Sequence, residues 1–372
     1  MNAMTHVVGT FLIQAEASFL NGAGLGEGED RNVTVPKTLR DGKHRVPYVS
    51  SQAWKRWLRS TLIAETNWPA SELRAIKESE KGSTSKIATQ LDPVEYAEDD
   101  LFGYMRAQEG QGKRITAESE DDVEETAPKV RTKAVMRASP FGASLLVSTR
   151  KTGWQGRDEG FVHLKEGTPL PYTTEFYTTH LQAVFCLAYY RVGLFWNVGD
   201  RIELDEALAK RYVASGRILP IEQGYELADA QNIRNQRAGE LLKALSVLRG
   251  GAKQAAFGTD VAPKCLILAG LSCGNPIFNH LFRDDVDGGK LTADVDLLRE
   301  VLRDYSDRIV TPVAIGIRSS YLANEEEVRA MNGRFETPRG PVEIKVTTPR
   351  QAAELIAGSL GDAGPSRQAA IV

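Results

Sequence analysis

Residues 45–59 read RVPYVSSQAWKRWLR. Arg45 to Val49 alternate as a strand would, and Ser50 and Ser51 supply hydroxyls that cap a helix start. Ala53, Trp54, Trp57 and Leu58 then recur at spacings of three and four, so one helical face is apolar. Lys55, Arg56 and Arg59 fall largely on another face, close to the helix start. Unpaired amides and cationic side chains at a helix N-terminus form a site for phosphate. No nucleophile, acid–base pair or metal-ligand set accompanies them. The stretch is suited to holding a polyanion rather than cutting one.

Upstream of this helix, Lys37, Arg40, Lys43, His44 and Arg45 make residues 31–59 clearly basic. Before them lies Asn21 to Asn32, NGAGLGEGEDRN, a loop rich in glycine. Its GAGLGEG core contains a loose GxGxxG frame that follows a strand candidate, Val7 to Leu20. A dinucleotide site needs a helix directly after the glycines. Here Glu29, Asp30 and Arg31 follow instead, then a second extended segment. The glycines are better read as backbone able to approach a phosphate chain closely.

The chain has 372 residues and a net charge of −3, with Lys plus Arg at 46 against Asp plus Glu at 49. Acid is concentrated in Glu118 to Glu125 (ESEDDVEE) and in Asp284 to Asp287, so a local positive groove is compatible with an acidic whole. No apolar run reaches the ~18 residues of a membrane span. The first residues lack the basic start and apolar core of a signal peptide. Three cysteines, Cys186, Cys265 and Cys273, sit in or near apolar segments without paired spacing, which argues for core thiols rather than disulfides or zinc. The five histidines show no ligand spacing. These features point to a cytoplasmic protein without metal or cofactor.

Further along, the pattern alternates strands and helices. Residues 66–130 are polar and read as an insertion. Val130 to Ser148 reads as strand and turn. Residues 149–173 hold glycines and prolines between strand-like segments, as an extended hairpin would. Glu175 to Trp196 reads as long strands, and 197–228 as a second insertion or connection. Asp229 to Leu248 is a helix with Ile233, Leu241, Leu242, Leu245 and Leu248 on one face and Gly250-Gly251 as its stop. Pro263 to Leu271 is a buried strand. Residues 276–350 add a helix near 292–305 and some strands, and 358–372 is expected to fray. The order strand, helix, strand, strand, helix, strand is that of a ferredoxin-like fold. RNA-recognition domains share that order and use the sheet face as their platform.

Three segments carry a family resemblance. SSQAWKRWLR, behind a basic loop, resembles the first helix of the RNA-binding backbone subunit of CRISPR Cascade complexes, in the DevR-type branch of the RAMP superfamily. Leu248 to Phe257, LRGGAKQAAF, resembles that family's GAKQ-type turn after its second palm helix. Val130 to Leu146, with Arg137, Pro140 and Phe141, is a weaker third match. The resemblance implies an α+β fold: a ferredoxin-like, RRM-like palm with long insertions, namely helical fingers and a β-hairpin thumb. It divides the chain into palm (1–65), finger-like insertion (66–130), palm strand region (131–148), thumb (149–173), palm again (174–275), C-terminal extension (276–350) and flexible tail (351–372).

The function implied is sequence-independent binding of CRISPR guide RNA. Copies of the chain would polymerise along the guide beside other Cascade subunits and present it to target DNA, with no enzymatic step. The RNA contacts carried over are Asn21, Lys37, Ser51, Gln52, Lys55, Arg56, Arg59, Gly251, Lys253 and Gln254. Arg45 and Arg137 join them, with Arg131 and Lys133 as weaker candidates. Arg59 has a second reading, as an ion-pair partner inside the fold. In the thumb, Trp154, Phe161, His163 and Leu164 are the candidates to wedge against RNA or a neighbouring copy. The alternative is a RAMP-type endoribonuclease that cuts with an acid of the 27–30 loop, Asp30 foremost.

Overall fold

The computed structural model describes residues 3–361 apart from 73, 78–84, 107–133, 163–166, 168–169 and 285–290. The chain divides into two compact units. One comprises residues 1–68, 140–192 and 231–372; the other comprises 69–139 and 193–230.

The first unit is the palm. Its strands and helices run β1 (His6–Ser18), α1 (Ser51–Glu65), β2 (Leu146–Ser148), β3 (Leu170–Leu187), α2 (Ala230–Ser246) and β4 (Cys265–Leu271). The sheet order is β4-β1-β3-β2, antiparallel throughout. That is the ferredoxin-like arrangement, built from the element order read in the sequence. Phe141–Ala143, just before β2, also pairs with β3.

Helix α1 forms where its pattern requires. Ser50 is the N-cap, and its Oγ accepts from the Ala53 amide at 3.4 Å. Trp54, Leu58, Thr61 and Leu62 are buried, a stripe at i, i+4, i+7 and i+8. Trp54 meets Phe11 of β1 edge-on at 5.3 Å and Phe141 at 5.7 Å, and its indole N–H donates to the Ser144 carbonyl at 2.8 Å. Burying such a ring stabilises by about 1.5–3 kcal/mol, and the indole hydrogen bond removes the polar penalty. The helix ends at Thr66, which is extended and whose hydroxyl bonds back to the Leu62 carbonyl at 2.8 Å.

The other face of the sheet is closed as well. After β4 the chain builds α3 (Val295–Tyr305), β5 (Val313–Ile317), β6 (Val342–Thr347) and α4 (Pro349–Ser359). Strand β5 extends the sheet antiparallel to β4, and β6 lies parallel to β5. Val8 and Leu12 of β1 share one buried cluster with Ile277, Phe278, Leu281, Leu298 and Tyr321. The sheet face opposite α1 is therefore closed, unlike the open platform of RNA-recognition domains. Described residues between Ile277 and Met331 supply the apolar side chains that cover it.

One further expectation changes. The glycine-rich segment is not a plain loop. Gly22–Leu25 and Val33–Pro36 pair as a hairpin, and the second of these strands runs parallel to β3 at Thr173 and Thr174. Thr38–Asp41 and His44–Val49 form the basic hairpin, with Gly42 at φ +59 in its turn.

The second unit gathers much of both insertions. Its sheet runs 218–221, 224–227, 194–198, 201–202, 135–137 and 104–106 in order, with helix Glu206–Ala214 capped by Asp205. Val135–Arg137 belongs to this unit, whereas 141–148 belongs to the palm.

Candidate nucleic-acid interface

The two best-matching sequence segments meet at one corner of the palm. Gly250 follows α2 at φ +152, and a Cβ there would lie 2.3 Å from Cγ of Trp57 in α1. The Thr61 hydroxyl accepts from the Arg249 amide at 3.0 Å, and the Arg249 guanidinium pairs with Glu65. Only glycine lets the turn lie this close to the tryptophan. Gly251, at φ +109, lies against Leu20 at the end of β1, and the Ala252 amide donates to the Leu20 carbonyl at 2.9 Å.

From this turn, Lys253 takes a left-handed conformation at φ +50. Its Nζ donates to Thr174 Oγ1 on β3 at 2.6 Å and lies 5.1 Å from the centre of the Phe19 ring. The Gln254 amide donates back to the Gly250 carbonyl and so tightens the turn itself.

Asn21 ties the remaining segments together. Its side-chain oxygen accepts from the Ser50 amide at 3.0 Å, and its carbonyl accepts from the Lys37 amide at 2.8 Å. The Lys37 carbonyl in turn accepts from the Tyr48 amide at 3.0 Å. The end of β1, the basic hairpin and the start of α1 are thereby held as one piece.

Around that piece, Gln52, Arg40, Lys43, Arg45 and Arg56 are exposed, with Lys37, Ser51, Lys55 and Arg59 half-buried. Burial lowers the pKa of Lys55. Among the described residues, Lys37, Arg40, Lys43 and Arg56 have no carboxylate within ion-pair distance. These cations are available to an anion from outside the chain.

Arg45 is arranged differently. It lies 3.3 Å from Glu175 of β3, whose side chain is 0% exposed against 43% for Arg45. Among the described residues neither Glu175 oxygen has a hydrogen-bond partner, so Arg45 is what offsets a buried carboxylate. The sequence reading missed Glu175. Only the β3 register, with Glu175 opposite Arg157, places its side chain under the basic hairpin.

Arg137 is a correction. Both its side chain and its two acidic partners, Asp100 and Glu203, are 0% exposed. Its Nε donates to the Asp100 carbonyl at 3.0 Å, and Nη1 donates to the Leu194 carbonyl at 2.9 Å and to Glu203 at 3.0 Å. Nη2 pairs with the Asp100 carboxylate. Arg137 is a structural knot of the second unit and does not reach the surface. Its sequence neighbours Arg131 and Lys133 lie outside the described residues.

The 149–173 hairpin is formed by Gln155–Val162 pairing with the first half of β3. Trp154 is a second correction. It is buried at the hairpin root, edge-on to Tyr177 at 6.1 Å, and so cannot act as a wedge. Phe161 sits in the strand opposite Pro171. His163 and Leu164 lie outside the described residues. The exposed aromatic that the reading missed is Tyr172, 48% exposed. Asp30 forms an ion pair with Arg157 of the hairpin at 2.7 Å.

Among the described residues no cluster of His, Cys, Asp or Glu could hold a metal, and no helix is long and apolar enough to cross a membrane. Cys265 is buried, Cys186 and Cys273 are half-buried against the same apolar cluster, and desolvation pushes the Cys186 thiol up to about 11.

No protein-family model matches the chain, and a search of curated proteins returns no match. Solved structures do match. A chain of a "CRISPR RNA-guided surveillance complex, pre-nicking" superposes with a TM-score of 0.52 at 14% identity, over 95% of this chain and 100% of that one. A chain of a "CRISPR RNA-guided surveillance complex" matches with a TM-score of 0.49, also at 14% identity and with the same coverage. The first likeness shows a shared fold that spans nearly the whole chain.

Proposed function

We propose that this protein is a Cascade-type backbone subunit of the RAMP superfamily, in its DevR-type branch. It holds CRISPR guide RNA by its phosphates without reading its sequence. The observation that carries this reading is the corner of the palm just described. There the cap of α1, the basic hairpin and the glycine turn are fastened together, and among the described residues Lys37, Arg40, Lys43 and Arg56 have no acidic partner. A rigid array of uncompensated cations binds a polyanion, and no group in it selects a base. The fold shared with a chain of an RNA-guided surveillance complex supports the same reading.

In this reading several copies assemble head to tail along one guide in the cytoplasm, with other Cascade subunits. The bases stay open for pairing with target DNA. The chain performs no bond chemistry. Asp30, held by Arg157, serves the loop hairpin rather than RNA cleavage.

The test is the salt dependence of binding to two RNAs of unrelated sequence. The proposal expects equal affinities and a log–log slope that becomes less steep by about 1 for each phosphate-contacting cation replaced. Replacing Lys43 and Arg56 by alanine should reduce both affinities together. A strong preference for one sequence, or a slope that does not change, would overturn it.

A further inference from the structure

Two aromatic rings on the same face of the 149–173 hairpin lie over glycines of the opposite strand. Gly156 faces Phe176 and Gly160 faces Tyr172 in the register. A Cβ at Gly156 would be 2.5 Å from the Phe176 ring, and one at Gly160 would be 2.5 Å from Cζ and the hydroxyl of Tyr172. Each ring therefore lies flat across bare backbone, a device that restores cover to a glycine in a strand.

The two rings differ in what lies above them. Phe176 is half-buried and is met by Phe257 at 6.1 Å. Tyr172 is 48% exposed, and no aromatic contact covers it among the described residues. Between them on this face lies Thr174, which accepts from the exposed Lys253 at 2.6 Å. Asp158 faces Thr174 across the ladder, so Lys253 is the cation beside an otherwise acidic rung.

We propose that Tyr172 is a nucleobase platform: its open face stacks one base of the bound RNA while Lys253 holds the adjoining phosphate. This rests on the RNA-binding reading above and deepens it. The glycine floor fixes the ring before RNA arrives, so stacking orders little that is not already ordered. Stacking accepts any base, because each has a π face, and so adds affinity without adding sequence preference. A bare cation rim would hold an RNA backbone equally well with or without its bases. A platform makes the bases matter while leaving their identity irrelevant.

The experiment measures binding of the full chain to a short RNA of about 8 nucleotides, on the scale that one binding module covers, and to an abasic RNA of the same length. The wild type should prefer the base-bearing RNA by about ten-fold, the order measured for one stacked base. Tyr172→Ala should lose that preference and bind both RNAs alike, and Tyr172→Phe should keep it. Tyr172→Leu covers Gly160 but offers no π face, so it should behave as the alanine variant does if stacking matters. Lys253→Ala should weaken both RNAs together.

Equal binding of both RNAs by the wild type would overturn the platform and leave the cationic cradle standing. So would a Tyr172→Leu variant that keeps the wild-type preference. If Tyr172→Ala leaves short-RNA affinity unchanged and impairs only assembly on long RNA, the ring contacts protein and the proposal fails. Absence of any RNA binding by the wild type would remove the cradle itself.

Discussion

Arg137 and Arg45 look alike in the sequence: each stands in a strand, inside a segment with the same family resemblance. The structure separates them by solvent. Arg137 has two carboxylates and two carbonyls around a guanidinium that water does not reach. Arg45 has one buried carboxylate at 3.3 Å and water on its other side. Removing a partner from a fully buried network leaves charges with no means of solvation, while a half-exposed ion pair is relaxed by water. Basic residues therefore divide by what lies beneath them, and only Arg45 belongs to the candidate interface.

The largest expected effect follows from the buried member. Arg137→Met leaves Asp100 and Glu203 without their cation and should destabilise the second unit by about 3–5 kcal/mol in denaturant unfolding. A stably folded variant with weakened RNA binding would break the comparison. Next is Gly250→Ala, which places a methyl group on Trp57 at a backbone angle that alanine resists. About 2 kcal/mol should be lost, read as a lower unfolding midpoint. An unchanged midpoint would show that the corner of α1 and the glycine turn is looser than drawn.

Arg45 sharpens the comparison from the other side. Arg45→Ala should cost about 1 kcal/mol of stability, since solvent screens a pair that is 43% exposed on one side. Glu175→Gln removes the buried charge and leaves Arg45 available to RNA. It should make the salt dependence of RNA binding steeper by up to about one phosphate contact. If both variants leave salt dependence and stability alone, the pair has no part in the interface.

The smallest effect concerns pH. His180 of β3 is held below its ordinary pKa by burial, with Asp284 opposing and Arg150 reinforcing that shift, and its Nδ1 lies 2.9 Å from the Tyr321 hydroxyl. Below pH ~6.5 the unfolded chain takes up a proton that the folded chain resists. Stability should therefore decline as pH falls from about 6.5 and be flat above it. His180→Gln should reduce that decline.

The palm was legible because its signals are local. Ser50 and the Trp54–Leu58 spacing gave α1, and the glycines after Leu248 gave the end of α2. The ferredoxin-like order then followed from element order alone. What escaped were consequences of pairing at a distance. The glycine-rich segment became a hairpin because β3 offers Thr173 and Thr174 as an edge for Val33 and Thr34. The closed sheet face depends on residues 277–331, whose apolar side chains recur without a long periodic run. Glu175 and Tyr172 lie on opposite faces of one strand, and only the β3 register shows that one lies under Arg45 and the other over Gly160.

The most direct test of the central claim is to purify the protein without nuclease and to sequence the RNA in the size-exclusion fractions that contain it. The account predicts a large species carrying RNA enriched in CRISPR repeat–spacer sequence, with no dependence on the spacer. A small, RNA-free species that also fails to bind added RNA at low salt would contradict it.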